Sequence, residues 1–240
     1  MDVAKLALSA RPAPHQLISV IVAAGLIAGQ AVAQVPPTPA EQAGYSGLFA
    51  AALRDDVNEI RALIARGGRA DPRDAYRRTP LHVAAYRSNI GAMRALVEAG
   101  ADANALENDR YDIVTIAAVA NDMQVLKTAL ALGCKATNMT SRYDGTALIA
   151  AAHLGHAEVV RELVRAGAPL DHINNLGWTA LIEAIVLGDG GFRHVATLQV
   201  LVEAGASLVI ADRNGRSPLA LARSRGYLPM IRILESAGAR

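Results

Sequence analysis

The chain has 240 residues, of which 52% are hydrophobic and 19% charged, and its formal net charge is +2. This composition is rich enough in apolar residues to bury a core, and it excludes an intrinsically disordered chain. The small net charge excludes the broad basic surface expected of a domain that binds nucleic acid or anionic lipid. The single cysteine, Cys134, excludes an intramolecular disulfide. It follows a helix-ending glycine where related segments have alanine, so we expect a small buried residue there and not a reactive thiol.

The first 33 residues are predicted to be a secretory signal peptide. Lys5 and Arg11 supply a basic leader, an apolar run of 13 residues covers 17–29, and Ala31-Val32-Ala33 matches the small-x-small cleavage pattern. We therefore expect cleavage between Ala33 and Gln34 and a mature protein that is periplasmic or secreted by a bacterium. The apolar run is shorter than the roughly 20 residues that span a bilayer, so an uncleaved anchor is the weaker alternative.

A proline-rich stretch over 34–43 predicts a short extended linker, and from residue 44 onward the chain repeats itself. Six glycines that each follow an apolar run are separated by 33, 33, 34, 38 and 33 residues: Gly67, Gly100, Gly133, Gly167, Gly205 and Gly238. About 21 residues before each glycine stands a good helix N-cap: Ser46, Thr79, Asp112, Thr146, Thr179 and Ser217. Each unit thus predicts a turn, a short helix, a tight turn and a longer amphipathic helix that ends at the glycine. Neither helix can bury its apolar face without a stacked neighbour.

Several segments resemble the ankyrin repeat. Residues 79–85 (TPLHVAA) resemble its T-P-L-H-x-A-A core, 155–160 (GHAEVV) the start of its second helix, and 212–219 (DRNGRSPL) its turn. Residues 174–185 (NNLGWTALIEAI) are similar to a segment of some exported bacterial ankyrin proteins. The resemblance covers roughly 44–240 and implies an all-α fold, an α-solenoid of six stacked ankyrin repeats with hairpin tips. The approximate units are 44–73, 74–106, 107–140, 141–173, 174–211 and 212–240.

The third hairpin departs most from this pattern. Arg77 and Arg110 replace the turn glycine in units two and three, at a position that often needs a positive φ. Unit three also lacks the proline and the histidine of the motif at 112–115, and one extra residue near 137–141 moves Gly145 next to its helix cap. We therefore expect the third hairpin to be the softest part of the stack.

Motifs of catalysis are missing from the sequence. It contains no H-E-x-x-H, no phosphate loop after a strand and no cysteine pair with zinc spacing, so we predict no catalytic residue, no metal and no cofactor. His153 and His156 are three residues apart, but His156 stands where the family has a structural histidine. Glu183 occupies a normally apolar position, and we favour a buried, paired carboxylate over a functional acid. The alternative, a small metal-dependent hydrolase, would use Glu183, His153 and the glycine-rich loop at 188–191.

Aromatic residues make up only 4% of the chain, yet five of the six tyrosines and the only tryptophan fall on one predicted face. The resemblance implies that turn tips and the exposed ends of the first helices line a concave groove. The aromatic residues predicted to lie there are Tyr45, Tyr76, Tyr86, Tyr111, Tyr143 and Trp178, flanked by Arg78, Arg87, Asp109, Arg142, Asp144 and Asn175. Tyrosine, tryptophan and arginine dominate binding hot spots, so these positions predict a partner-binding surface. The alternative is that the tyrosines lie flat and support the next hairpin.

Five extra residues, 189–193, separate the two helices of unit five. Stacked repeats place such insertions in loops on one face, commonly the binding face. Phe192 beside Arg193 therefore predicts a contact loop, and the alternative is a longer turn with Phe192 folded onto the core.

Together these features predict a non-enzymatic, exported monomer that binds a protein partner through the groove and the unit-five loop. The partner is expected to be exported or periplasmic as well. We expect no nucleic-acid partner and no stable membrane insertion after signal cleavage. An immunity-type role, or a secreted role directed at a host, is the alternative within the same class.

Overall fold

The computed structural model describes residues 36–240, and the predicted signal peptide over 1–33 lies outside them. The described chain contains thirteen α-helices and no extended strand. In chain order they are α1 Pro39–Gly44, α2 Gly47–Leu53, α3 Val57–Ala65, α4 Pro80–Tyr86, α5 Ile90–Glu98, α6 Ile113–Ala120, α7 Met123–Ala131, α8 Ala147–His153, α9 Ala157–Arg165, α10 Ala180–Val186, α11 Phe192–Glu203, α12 Pro218–Ser224 and α13 Leu228–Ser236.

The helices after α1 form six antiparallel pairs that stack in sequence order. The first helices, α2, α4, α6, α8, α10 and α12, contact one another in series, and so do the second helices, α3, α5, α7, α9, α11 and α13. Most of them are only seven to nine residues long, too short to be stable alone, so burial between neighbouring pairs stabilises them. The all-α solenoid of six repeats predicted from the sequence is confirmed.

Side-chain caps begin five of the six first helices at the predicted residues. Each cap oxygen accepts a hydrogen bond from the backbone N–H three residues on, at Thr79, Asp112, Thr146, Thr179 and Ser217. In unit two, His82 Nδ1 also accepts from the Thr79 N–H at 3.1 Å, so its Nε2 is free to donate to the Tyr111 carbonyl at 3.2 Å. Burial lowers the pKa of His82 to about 4, so the ring is neutral at pH 7 and joins units two and three.

The turn before each first helix keeps a left-handed residue where glycine is missing. Arg77 has φ 58°, Arg110 has φ 66°, and Asp144 takes this place in unit four with φ 51° because Gly145 has moved next to the cap. A side chain in this region costs roughly 1–2 kcal/mol, so the fold over-determines these turns. The lower stability of the third hairpin stays a prediction.

The prediction of an extended linker over 34–43 is wrong from residue 39 onward, where α1 begins. Thr38 Oγ1 accepts from the Glu41 N–H at 3.3 Å, and Glu41 Oε2 accepts from the Thr38 N–H at 2.7 Å, which completes a capping box. Proline suggests extended chain, but Pro39 is the first residue of the helix, where its missing N–H loses no bond. Glu41 Oε1 then accepts from Arg78 at 2.8 Å, so this short helix is tied to unit two.

Two further expectations concern burial. Cys134 is buried, its Sγ donates to the Ala103 carbonyl at 3.1 Å, and burial raises its pKa to about 12, which confirms the expected buried thiol. Between residues 36 and 240, no helix is both long and apolar enough to cross a membrane.

Candidate functional site

One side chain closes each hairpin between consecutive units. In unit two, Asp74 Oδ1 accepts hydrogen bonds from the backbone N–H groups of Tyr76 and Arg78, both at 2.9 Å. The same double bond is made in the later units by Glu107, Ser141, Asn174 and Asp212. These closed turns hold the side chains of the tips in fixed directions.

Consecutive hairpins are joined into one strip, which we call the tip strip and define as residues 74–78, 107–111, 140–145 and 174–178. Backbone bonds link the tips: Asn108 N–H to Tyr76 O at 2.9 Å, Ser141 N–H to Arg110 O at 3.2 Å, and Asn175 N–H to Tyr143 O at 2.9 Å. Two ion pairs cross between units three and four: Arg110 with Asp144 at 2.7 Å and Arg142 with Asp109 at 2.6 Å. The strip therefore presents its side chains from a connected framework.

Part of the predicted binding set is accessible on this strip. Tyr76 is 42% exposed and Tyr143 is 47% exposed. Arg142 and Asn175 are exposed as well, and Trp178 is half-buried. The structure thus brings these five predicted residues together on neighbouring tips. Arg87 is also exposed, at the end of α4.

Arg78 is not accessible, and its prediction as a surface contact is wrong. Its side chain is 1% exposed, its Nε donates to Asp74 Oδ2 at 2.7 Å, and its Nη2 donates to Glu41 Oε1 at 2.8 Å. The guanidinium carbon also lies 4.6 Å from the centre of the Tyr76 ring. Two carboxylates and an aromatic ring compensate this buried cation, which therefore supports the hairpin from below.

Two of the predicted groove tyrosines lie against neighbouring elements, as the alternative interpretation held. Tyr45 stacks on Phe49 with ring centres 5.0 Å apart, and its hydroxyl donates to Asp74 Oδ2 at 2.8 Å. Tyr111 is only 7% exposed, and burial raises its pKa to about 12. Tyr86 is half-buried, and its hydroxyl is buried with no hydrogen-bond partner in the described chain. Tyr111 is therefore a buried wall and not an exposed anchor.

The unit-five insertion lengthens a helix and leaves a short, fixed loop. Its helix α11 has twelve residues where the other second helices have nine. Arg193 donates to the Leu154 carbonyl at 2.7 Å, and the Tyr227 hydroxyl donates to the Gly188 carbonyl at 2.9 Å, so both neighbouring units hold the loop. Phe192 is the first residue of α11 and is 88% exposed, so the alternative that it folds onto the core is wrong.

Glu183 is the buried, paired carboxylate that the sequence favours. It is 4% exposed, its Oε1 accepts from Asn174 Nδ2 at 2.8 Å, and its Oε2 lies 3.7 Å from His153 Nδ1. Burial raises the pKa of Glu183 to about 7, whereas burial and the nearby His194 lower the pKa of His153. A proton shared in this region is a structural feature of the α8–α10 contact.

Metal binding has little support in the described residues. His156 Nδ1 donates to the Ala118 carbonyl at 2.9 Å, which is a structural role. Over 36–240 no group of three or more histidine, cysteine, aspartate or glutamate side chains is arranged to hold a metal ion.

The family model for ankyrin repeats (three copies) matches residues 22–107 and 114–212. The chain belongs to the ankyrin repeat family. It is 42% identical over 103 residues to the putative ankyrin repeat protein YahD of Escherichia coli strain K12. That match covers 42% of this chain and 51% of YahD, so the chain spans about half the length of that relative.

Solved ankyrin repeat structures share the fold over most of the chain. An ankyrin repeat domain from Acinetobacter baumannii AYE is 41% identical, with a TM-score of 0.75, and the match covers 80% of this chain and 98% of that one. The ankyrin repeat domain of Bcl-3, described as a unique member of the IkappaB protein family, is 27% identical with a TM-score of 0.73 and coverage of 82% and 88%. Ankyrin repeats are protein-interaction scaffolds and are generally not enzymes, which indicates protein partners for this chain.

Proposed function

We propose that the protein is a non-enzymatic scaffold that binds an exported or periplasmic protein along its tip strip. The observation that carries this proposal is where the exposed apolar side chains lie. Tyr76 and Tyr143 stand on the strip itself, together with Leu176 at 37% exposure. Met139 and Ile173 are just over half exposed directly before the hairpins of units four and five. Large exposed apolar groups that a protein concentrates on one surface mark interaction sites.

Rigidity of the strip supports the same proposal. Because each hairpin is closed by its own side-chain acceptor and joined to the next by backbone bonds, little ordering entropy is lost on binding. Tyrosine contributes a large contact area with few rotatable bonds, which suits such a surface. The exposed Arg142 and Asn175 supply polar contacts beside Tyr143.

Export is the second part of the proposal, and it rests on the basic and apolar leader with its Ala31-Val32-Ala33 pattern. Cell fractionation followed by N-terminal sequencing of the mature protein tests it. We expect a mature chain that begins at Gln34 in the periplasm or the medium. An intact leader in a cytoplasmic fraction would contradict export.

Capture of a partner tests the binding proposal. The purified protein is immobilised, exposed to periplasmic extract, and the bound proteins are identified by mass spectrometry. The double variant Tyr76→Ala with Tyr143→Ala is expected to lose at least about ten-fold in affinity for the captured protein, because hot-spot aromatic residues each contribute about 1 kcal/mol or more. Leu228→Ala is the matched control, since Leu228 is 65% exposed on α13, away from the strip. Equal capture by the double variant and the control would overturn the proposal.

A further inference from the structure

The acid that closes a hairpin carries an arginine partner in two of the units. Asp74 accepts from Arg78, four residues later, at 2.7 Å. Asp212 accepts from Arg216, also four residues later, with Nη2 at 2.7 Å and Nε at 2.9 Å. The same carboxylate thus accepts the backbone N–H groups of the turn and neutralises its charge with a guanidinium.

Unit three has the acid without the arginine. Glu107 Oε1 accepts from the N–H groups of Asp109 at 3.0 Å and Tyr111 at 2.9 Å, and Tyr111 stands where the arginine stands in the other two units. Glu107 is 6% exposed, and no cationic side chain of the described residues lies within ion-pair distance of it. Burial raises the pKa of Glu107, as expected for a carboxylate without a compensating cation.

A second polar group beside Glu107 also lacks a partner. The Tyr86 hydroxyl is buried and makes no hydrogen bond in the described chain. Glu107, Tyr111 and Asp109 all act electrostatically on this phenol, which places them around it. Buried hydroxyls are nearly always hydrogen-bonded, and one left unpaired destabilises the fold.

Among residues 36–240, the cation that forms an ion pair with this group stands on its solvent side. Arg142 donates to Asp109 Oδ1 at 2.6 Å, and its side chain is 68% exposed. Exposed ion pairs of this kind contribute little to stability, so Arg142 can move aside at small cost. Tyr86, Glu107, Asp109 and Tyr111, which we call the Glu107 pocket, therefore form two carboxylates and two phenols at the edge of the tip strip.

We infer that the Glu107 pocket receives an arginine side chain of the bound protein, an inference that rests on the proposed function. A guanidinium has five N–H donors in a planar fork, so it can donate to Glu107, Asp109 and the Tyr86 oxygen together. The two phenol rings offer faces on which a guanidinium stacks. The partner's arginine would take the role that Arg78 and Arg216 have in units two and six.

Titration with a small arginine probe tests the inference without knowledge of the partner. N-acetyl-arginine methylamide and its neutral isostere N-acetyl-citrulline methylamide are added to the protein, and the carboxyl carbon of Glu107 and the ring signals of Tyr86 are followed by NMR. We expect millimolar binding of the arginine probe, about ten-fold tighter than that of the citrulline probe, because hydrogen bonds to a charged group are the stronger ones. Equal binding of the two probes would overturn the inference.

Variants of the pocket sharpen this test. Glu107→Gln keeps the oxygen that accepts both backbone N–H groups, so the hairpin should stay closed while binding of the arginine probe falls about ten-fold. Asp212→Asn is the matched control, because Arg216 already occupies that hairpin acid and the probe should bind as before. Unchanged binding by Glu107→Gln would contradict the assignment.

Arg142→Gln removes the competing cation from an exposed position that cannot affect folding much, and we expect it to tighten the probe several-fold. Weaker binding in this variant would show that the probe sits elsewhere, which also contradicts the inference. The partner-capture experiment fails or succeeds separately. If the tip strip variants lose the partner but the probe ignores Glu107, the pocket is wrong and the proposed function stands.

Discussion

The hairpins of units two and three occupy the same place in the repeat and solve the same electrostatic problem differently. In unit two, Asp74 is paired with Arg78, and Glu41 from α1 adds a second carboxylate, so a fully buried guanidinium is compensated from both sides. In unit three, Glu107 closes the turn but Tyr111 replaces the arginine. One substitution in the register thus converts a closed, self-sufficient hairpin into one with an open acid. The repeat framework keeps its shape in both cases, so the difference is available for binding.

The largest effect is expected in the closed hairpin. Arg78→Met leaves Asp74 and Glu41 without their buried cation, so we expect a loss of about 3–5 kcal/mol in the free energy of unfolding. Arg216→Met is the matched comparison in unit six, where the arginine side chain is 50% exposed, and we expect a loss below about 1 kcal/mol. Urea unfolding followed by circular dichroism measures both. Similar losses in the two variants would show that burial of Arg78 does not stabilise unit two.

Glu183 provides an intermediate effect with a defined pH window. Its pKa in the folded state is raised by burial from 4.5 to about 7, so its contribution to stability is fully present below pH 4.5 and is lost as the pH rises through 7. A pKa difference of this size between the folded and unfolded states corresponds to a free energy on the order of 3 kcal/mol. We therefore expect Glu183→Gln to be more stable than the unmodified protein at pH 8 and to lose this advantage at pH 4.

The unfolding free energy of both proteins between pH 4 and pH 8 is the measurement. A constant difference across that range would mean that Glu183 does not titrate there. His153→Gln controls for the neighbouring imidazole, which lies 3.7 Å from the carboxylate.

A smaller effect of opposite sign separates the two hairpin acids. Burial tends to raise the pKa of Asp74, but hydrogen bonds from Tyr45 and Arg78 outweigh it and lower that pKa. Its stabilising contribution is therefore present above the usual value of 3.8 and is lost as the pH falls. The pKa of Glu107 is raised by burial, so its contribution is present below the usual 4.5 and is lost as the pH rises through the folded value. We expect Asp74→Asn to harm the protein most near neutral pH and Glu107→Gln to harm it least there.

Thermal unfolding of the two variants at pH 3, 5 and 7 checks the comparison. Both substitutions keep a side-chain oxygen that can accept the turn N–H groups, so loss of the hairpin itself should be small. The same pH trend in both variants would contradict the distinction between the closed and the open hairpin.

Most of the fold could be predicted from the sequence because it depends on local, repeated signals. The cap residues and the glycines, in register, identify where each helix begins and ends, as Thr79 and Gly100 do in unit two. The helix α1 is the exception. Thr38 and Glu41 have the spacing of a capping box, but the prolines around them favour extended chain, and the two local signals conflict.

The site is less predictable because burial depends on contacts between distant residues. Tyr76 and Tyr143 lie at exposed tips, as their register indicates, but Arg78 looks equally accessible in the sequence. Its burial depends on Glu41, 37 residues earlier, which no periodic pattern places beside it. Glu107 does not stand out as a site residue until its hairpin is compared with that of Asp74. The sequence does contain a signal for it, since Tyr111 stands at the position of the arginine.

Hydrogen–deuterium exchange of the protein, alone and with its captured partner, tests the central claim most directly. If the partner binds along the tip strip, protection should increase in residues 74–78, 107–111, 140–145 and 174–178, with the strongest change where Tyr143 and the Glu107 pocket meet. Protection confined to the second helices, such as α11 and α13, with the hairpins unchanged, would contradict the account.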